Sequence, residues 1–447
     1  MGGPEFAIAI VVILVVLILL SVPVVVALGL CSYFGLAWLT GSTRVPGSLL
    51  SNTAYEALRD YVFAVIPLFV LMGELISRSG TASDLYGIIN RGFKRLPGRL
   101  ALATVGGNAV FGAVTGVSIA SAAAFSRIAY PQMVRYAYDK SVALGSIAGS
   151  ASLGMLLPPS VLMIVWGVVS EQSIGRLFVA GVLPGLLLAG MFFLFIIVSA
   201  WWKPQAFGAG ADTQPGAAAD APETEAERSE RRREVRGAFG VMVLIVLVLG
   251  GIWFGVFTPT EAAGVGVIFA LALAVIKGVS LREVGDAVLE AGRISAPLLF
   301  LLITAQMYAR LLALGGINDV IQGMFLSISD APSVILMLMI LIWFVLGMVI
   351  DSTSIILLTV PIFAPLAANM GFDPIAFAII GIVAIEAGLL TPPLGLCVYT
   401  VKGSVNDPEA TLARIFRGAI PYWVILLILV ALVAVFPGIA TWLPSQM

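Results

Sequence analysis

What most constrains this chain is a recurrence of apolar runs, each about as long as a membrane is thick, that no water-facing fold can hide. A hydrocarbon core about 30 Å thick is crossed by roughly 20 helical residues, and inside it only helices or closed barrels satisfy every backbone N–H and C=O. The runs are too long for barrel strands, so the chain reads as an all-α, polytopic membrane protein. Candidate spans are 6–20, 24–39, 61–77, 141–169, 177–202, 238–257, 260–276, 294–314, 375–401 and 420–435, about ten transmembrane helices. Two further stretches, 100–130 and 333–367, are too long for one crossing and carry glycine and polar residues at their midpoints, the pattern of re-entrant helical hairpins. The run at 6–20 lacks a preceding basic region and reads as a retained membrane helix.

Composition narrows the functions. Only 11% of the 447 residues are charged, against about 25% in soluble domains. The net charge is −1 and no basic stretch carries interleaved aromatics, so nothing favours a nucleic-acid partner. Histidine is absent and Cys31 and Cys397 are far apart. Transition-metal sites, histidine-based triads and a disulfide framework therefore lack their usual residues, and an intramembrane enzyme is disfavoured.

The segment 203–236 shifts abruptly to Ala, Gly, Pro and Glu and then to Arg231-Arg232-Arg233, which reads as a solvated, disordered cytoplasmic linker. It separates two halves, 1–202 and 237–447, that echo each other. Pro67 is matched by Pro297, Gly112 by Gly347, Pro131 by Pro365, and Pro158-Pro159 by Pro392-Pro393, at offsets of 230 to 235 residues. Ordered matches of this kind predict internal duplication. If each hairpin returns to its starting face, 20 of the 24 Lys and Arg fall on one side, which makes that side cytoplasmic. Each half then has five spans, the first crossing runs in opposite senses, and the halves are inverted repeats. The hairpin at 100–130 enters from the cytoplasm and that at 333–367 from outside, with both termini outside.

Inverted repeats with interrupted helices favour transport, because half-helix ends and freed carbonyls near the midplane replace the hydration of ions and substrate. Proline donates no backbone hydrogen bond and disfavours helix just before it, so each Pro-Pro leaves carbonyls without helical partners. Together with hydroxyls and small residues, these suit a hard monovalent cation. The candidate cation ligands are Gly112, Thr115, Gly116, Ser118, Leu157, Pro158 and Ser160 in the first half, and Gly347, Asp351, Thr353, Gly388, Thr391 and Pro392 in the second. Four carboxylates interrupt the apolar segments. Asp351 lies at a hairpin tip, as a functional carboxylate or a helix cap, and Glu386 beside a break, whereas Glu74 and Glu261 read as helix-end residues. Trp38, Tyr61, Trp202 and Trp253 read as interfacial anchors. Should the substrate be an anion, the amides of Val117-Ser118 and Ser352-Thr353, at helix N-termini that favour negative charge, would hold it, with Arg310 either an interfacial snorkel or an access or gating residue.

Several local sequences resemble one known family. They are Ile66-Pro67-Leu68-Phe69-Val70-Leu71-Met72-Gly73, Leu156-Leu157-Pro158-Pro159-Ser160, the run from Leu177 to Gly185, Phe257-Thr258-Pro259-Thr260-Glu261, and Gly388-Leu389-Leu390-Thr391-Pro392-Pro393-Leu394-Gly395. In order and spacing they resemble the large membrane (M) subunit of tripartite ATP-independent periplasmic (TRAP) transporters. The resemblance implies a sodium-coupled importer of small organic anions in the bacterial inner membrane, moving its hairpin domain like an elevator. It also implies a small membrane (Q) subunit and a periplasmic substrate-binding protein as partners, and Na⁺ sites on the hairpin and break segments named above. Two departures stand out: the first tip reads Thr115-Gly116-Val117-Ser118 where relatives often carry a run of small hydroxylic residues, and Cys397 stands where relatives often place asparagine. The alternative is a stand-alone carboxylate symporter of the same broad superfamily, coupled to sodium or, through Asp351 and Glu386, to protons.

Overall fold

The computed structural model describes residues 4–208 and 225–447. Among these the chain is helical apart from its connections, with one isolated bridge between Tyr138 and Phe207. The two long apolar stretches each fold as a helical hairpin, Arg99–Thr115 with Ser118–Arg135, and Pro332–Gly347 with Ser352–Asn369. Each is followed by a broken helix. The first runs Lys140–Ala151 and Leu153–Leu156, then resumes at Val161–Val169; the second runs Pro374–Gly388 and resumes at Leu396–Ser404. Both breaks contain a cis Pro-Pro bond, Pro158-Pro159 and Pro392-Pro393.

Among the described residues seven helices qualify by length and apolarity to cross a membrane, or up to nine if each bent pair is one span. Seven differs from the expected ten for identifiable reasons. The runs at 6–20 and 24–39 form short helices, Pro4–Leu19 and Val24–Thr40, the span at 141–169 is bent by 43° at its break, and the span at 375–401 is cut at its break. Ser352–Asn369, read as a hairpin arm, itself qualifies by length. Leu281–Leu314 has 34 residues, about 51 Å at 1.5 Å per residue, so its charged first turns project beyond a core of about 30 Å.

One correction concerns the linker. Residues 225–236 are helical, continuous with the span in a single helix Glu225–Trp253, and Pro204–Ala206 forms a 3₁₀ turn; the remainder, 209–224, lies outside the described residues. Glu, Ala and Arg are good helix formers, and one face of the extension is buried against the helix Thr81–Gly92. There Arg91 reaches Glu234 at 3.0 Å, Arg233 reaches Asp84 at 3.9 Å, and Lys277 also pairs with Asp84.

The helices pack in two groups. Val24–Thr40, Val65–Arg78, Pro259–Ile276 and Leu281–Leu314 lie against one another, while the hairpins, the broken helices and Leu412–Val435 form the other group. The second is centred on aromatics packed in tilted and edge-to-face pairs: Trp343 lies 5.7 Å from Trp166, 5.1 Å from Phe377 and 5.4 Å from Phe363, ring to ring. Its indole N–H donates to Thr359 Oγ1 at 2.8 Å, satisfying the one polar atom of a fully buried side chain. At one end of this group Asp407 accepts from Tyr130 Oη at 2.7 Å and pairs with Lys140 Nζ at 2.8 Å, while Lys140 and Arg414 flank Glu409. Lys140, then Tyr130, hold the Asp407 carboxyl well below the ordinary carboxylate range, and Lys140 and Arg414 lower Glu409 in the same direction.

Glu261 is a cap. It completes a capping box in which Glu261 N–H donates to Thr258 Oγ1 and its carboxylate accepts from the Thr258 N–H at 2.9 Å. Glu74 sits one turn from Arg78, 3.8 Å away. Of the expected interfacial anchors, Trp38, Tyr61 and Trp202 are exposed and Trp253 is half-buried.

Candidate functional site

Each hairpin tip docks on the break that follows it. In the first, the chain turns at Gly116, whose φ of +66° is a left-handed conformation suited to glycine. A Cβ there would lie 2.8 Å from the Pro159 carbonyl oxygen, so the residue also permits close approach. Gly116 N–H donates to Gly112 O at 2.7 Å, and Gly116 O accepts from Val161 N–H at 3.2 Å, which fastens the tip to the far side of the break. In the second, Met348 O accepts from the N–H groups of Leu394 and Gly395 at 3.1 and 3.4 Å. Asp351 caps the second arm by accepting from Ser354 N–H at 3.0 Å. Glycine faces glycine behind both tips: a Cβ on Gly112 would stand 2.4 Å from Gly154 Cα, and one on Gly347 would stand 2.9 Å from Gly388 Cα.

The candidate hydroxyls are turned to local carbonyls. Thr115 Oγ1 donates to Phe111 O at 3.2 Å, Ser160 Oγ to Met155 O at 2.6 Å, and Thr391 Oγ1 to Ala387 O at 2.7 Å. A hydroxyl that donates keeps lone pairs that accept or ligate, and Ser160 already uses one to cap Met163 N–H at 3.4 Å. Leu157, beside Pro158, and Thr391, beside Pro392, are buried at the breaks, and Thr353 is half-buried on the second tip. Among the described residues no cluster of three or more thiol or carboxylate side chains is arranged to hold a metal ion. A cation in these breaks would be ligated by backbone carbonyls and hydroxyls.

The two tips converge on Glu386. Ser352, the first residue of the second hairpin's second arm, donates from Oγ to Glu386 Oε1 at 2.9 Å. Ser118, in the corresponding place of the first hairpin, faces the same carboxylate and accepts from Cys397 Sγ at 3.7 Å. Glu386 is 2% exposed and its Oε2 has no hydrogen-bond partner. The helices Ser118–Arg135 and Ser352–Asn369 thus begin at one buried carboxylate, with Val117 next to Ser118 and Thr353 next to Ser352 in sequence. Glu386 stood out in the sequence as a charged residue at a break, but its partners are 34 positions away in Ser352 and far more distant in Ser118. No local pattern links them.

Arg310 is not brought to this cluster. Its Nη2 donates to Glu56 Oε2 at 2.7 Å, and the pair lines a cavity of about 790 Å³ with Arg59, Asp60, Glu171 and Gln306. No hairpin-tip residue lines that cavity.

Residues 11–439 match the family model described as "Tripartite ATP-independent periplasmic transporter, DctM component". The chain is 32% identical to the C4-dicarboxylate TRAP transporter large permease protein DctM of Pseudomonas aeruginosa, covering 89% of each chain. It is 30% identical to the sialic acid TRAP transporter large permease protein SiaM of Vibrio cholerae, covering 91% of each. In fold it is similar to the Alcanivorax borkumensis YdaH transporter, with a TM-score of 0.59 and 16% identity over 88% of this chain and 87% of that one. A match over almost the full length, with relatives that are transport permeases rather than enzymes, makes this multi-pass membrane protein a member of the DctM family, the large permease component of TRAP transporters.

Proposed function

We propose that this chain is the sodium-coupled transport subunit of a TRAP system importing small organic anions across the bacterial inner membrane. It would work with a small membrane subunit and a periplasmic substrate-binding protein. The observation that carries the reading is the docking of each hairpin tip on its Pro-Pro break, with both second arms starting at Glu386. Such paired breaks suit Na⁺, and the two helix N-termini together with bound Na⁺ supply the positive potential an anion needs. Cation and substrate then bind interdependently. Relatives named for C4-dicarboxylates and sialic acid both handle carboxylates, which favours a carboxylate here. The halves 1–202 and 237–447 act as inverted repeats, and the hairpin group moves against the helices around Leu281–Leu314 in an elevator-like stroke.

Uptake into proteoliposomes containing the small subunit and candidate receptors, under an imposed sodium gradient, tests the coupling. Ser160→Ala and Thr391→Ala each should raise the Na⁺ concentration for half-maximal uptake about threefold to tenfold, the cost of losing one polar ligand. Undiminished uptake on a proton gradient without sodium would defeat the reading.

The orientation, with both termini periplasmic, has its own check. In a background lacking Cys31 and Cys397, Asp330→Cys should react with a membrane-impermeant maleimide in intact cells and Arg95→Cys should not. The opposite pattern would invert the topology.

A further inference from the structure

The helix Glu225–Trp253 carries a feature that transport does not use. Its outward stripe begins with arginine and ends in hydrocarbon: Arg228, Arg232 and Val235 are followed at alternating spacings of three and four by Phe239, Met242 and Val246. All six are exposed, Phe239 at 69% and Val246 at 66%. Residues so spaced share one face of a helix. Arg231 and Arg236 flank the stripe, and with Arg228, Arg232 and Val235 they line a surface groove of about 470 Å³. The opposite face is occupied by protein. Glu234 and Gly237 are buried against Thr81–Gly92, where Arg91, Arg233 and Lys277 meet Glu234 and Asp84. Among the described residues no carboxylate pairs with Arg228, Arg232 or Arg236.

We infer that this groove is a binding site for an anionic phospholipid, its phosphate held by Arg228, Arg232 and Arg236 and its acyl chains lying along Val235, Phe239, Met242 and Val246. The guanidiniums stand at the polar end of a helix that qualifies by length and apolarity as a membrane span, and they offer planar, multidentate donors suited to a phosphate. Juxtamembrane arginine clusters gain affinity for anionic headgroups with each added charge. The apolar continuation of the same stripe selects a lipid over a soluble phosphate. The inference rests on the chain spanning a membrane and is independent of which ion drives uptake.

Native mass spectrometry of the purified complex with its small subunit, titrated with phosphatidylglycerol and with phosphatidylcholine of the same chains, tests it. Phosphatidylglycerol should bind preferentially, and the triple variant R228Q/R232Q/R236Q should bind it about a hundredfold more weakly. The triple lysine variant R228K/R232K/R236K keeps the charge and should stay within about tenfold of the unaltered complex. Excess inorganic phosphate should not displace the lipid. Equal binding of the two lipids, undiminished binding by the triple glutamine variant in a complex with unchanged melting temperature, or displacement by inorganic phosphate would each overturn the site. Binding that occurs in the isolated chain and vanishes with the small subunit bound would overturn it too, assigning the stripe to that subunit.

Discussion

Gly112→Ala and Gly347→Ala should each abolish uptake and lower the melting temperature, while Gly190→Ala and Gly264→Ala should change neither. The added methyl is small, but at Gly112 it would sit 2.4 Å from Gly154 Cα and 2.9 Å from its N, and at Gly347 it would sit 2.6 Å from Ile385 O. Those neighbours are backbone atoms in packed helices and cannot rotate away. The hairpin must instead lift from its break. Overpacking of this kind costs about 1–3 kcal/mol, and here the displacement falls on Gly116 O to Val161 N–H and on Met348 O to Leu394 N–H, the bonds that hold the tips. A Cβ on Gly190 or Gly264 meets nothing within 4 Å. Uptake and thermal unfolding of the four variants compare the two classes directly. Normal uptake by Gly112→Ala would mean that the tip is not seated rigidly on its break.

The features legible in the sequence are those written in local chemistry. Prolines mark 158–159 and 392–393 as breaks because they lack a donor, and Gly116 marks a turn because only glycine adopts its φ cheaply. Thr258-Pro259-Thr260-Glu261 announces its own capping box, so Glu261 is recognisable as a helix-end residue without coordinates. Where tertiary packing decides, the sequence is silent or misleading. Residues 225–236 look like linker by composition, yet burial of Glu234 against Arg91 extends the membrane helix through them. Arg310, near the outer end of its apolar run, pairs with Glu56 from a helix whose polar composition gave no reason to join them. The meeting of Ser118, Ser352, Glu386 and Cys397 depends on both hairpins folding over one helix, a relation among positions up to 279 residues apart.

Glu386→Gln should raise the Na⁺ concentration for half-maximal uptake about a hundredfold, the largest shift expected from any side chain at the tips. Gln keeps an oxygen for the Ser352 hydroxyl, and it differs little in volume, so packing is retained while the charge is lost. At a separation of about 5 Å and an effective dielectric of about 20, one unit charge stabilises a cation by about 3 kcal/mol, roughly a hundredfold in affinity. The unpartnered Oε2 is the reason to expect such a cation nearby. A carboxylate buried in a membrane protein with only serine hydroxyls facing it and no ion pair among the described residues is costly unless the working cycle supplies positive charge. Ser352→Ala separates charge from hydrogen bonding, since it removes only the donor to Oε1 and should shift the same curve less than tenfold. If Glu386→Gln leaves the sodium dependence unchanged in protein of normal yield and melting temperature, the carboxylate is structural and the cations lie wholly on the carbonyls and hydroxyls of the breaks. If Ser352→Ala instead gives the larger shift, the hydroxyl rather than the charge governs the site, and the convergence of the two tips on Glu386 serves to align the hairpins.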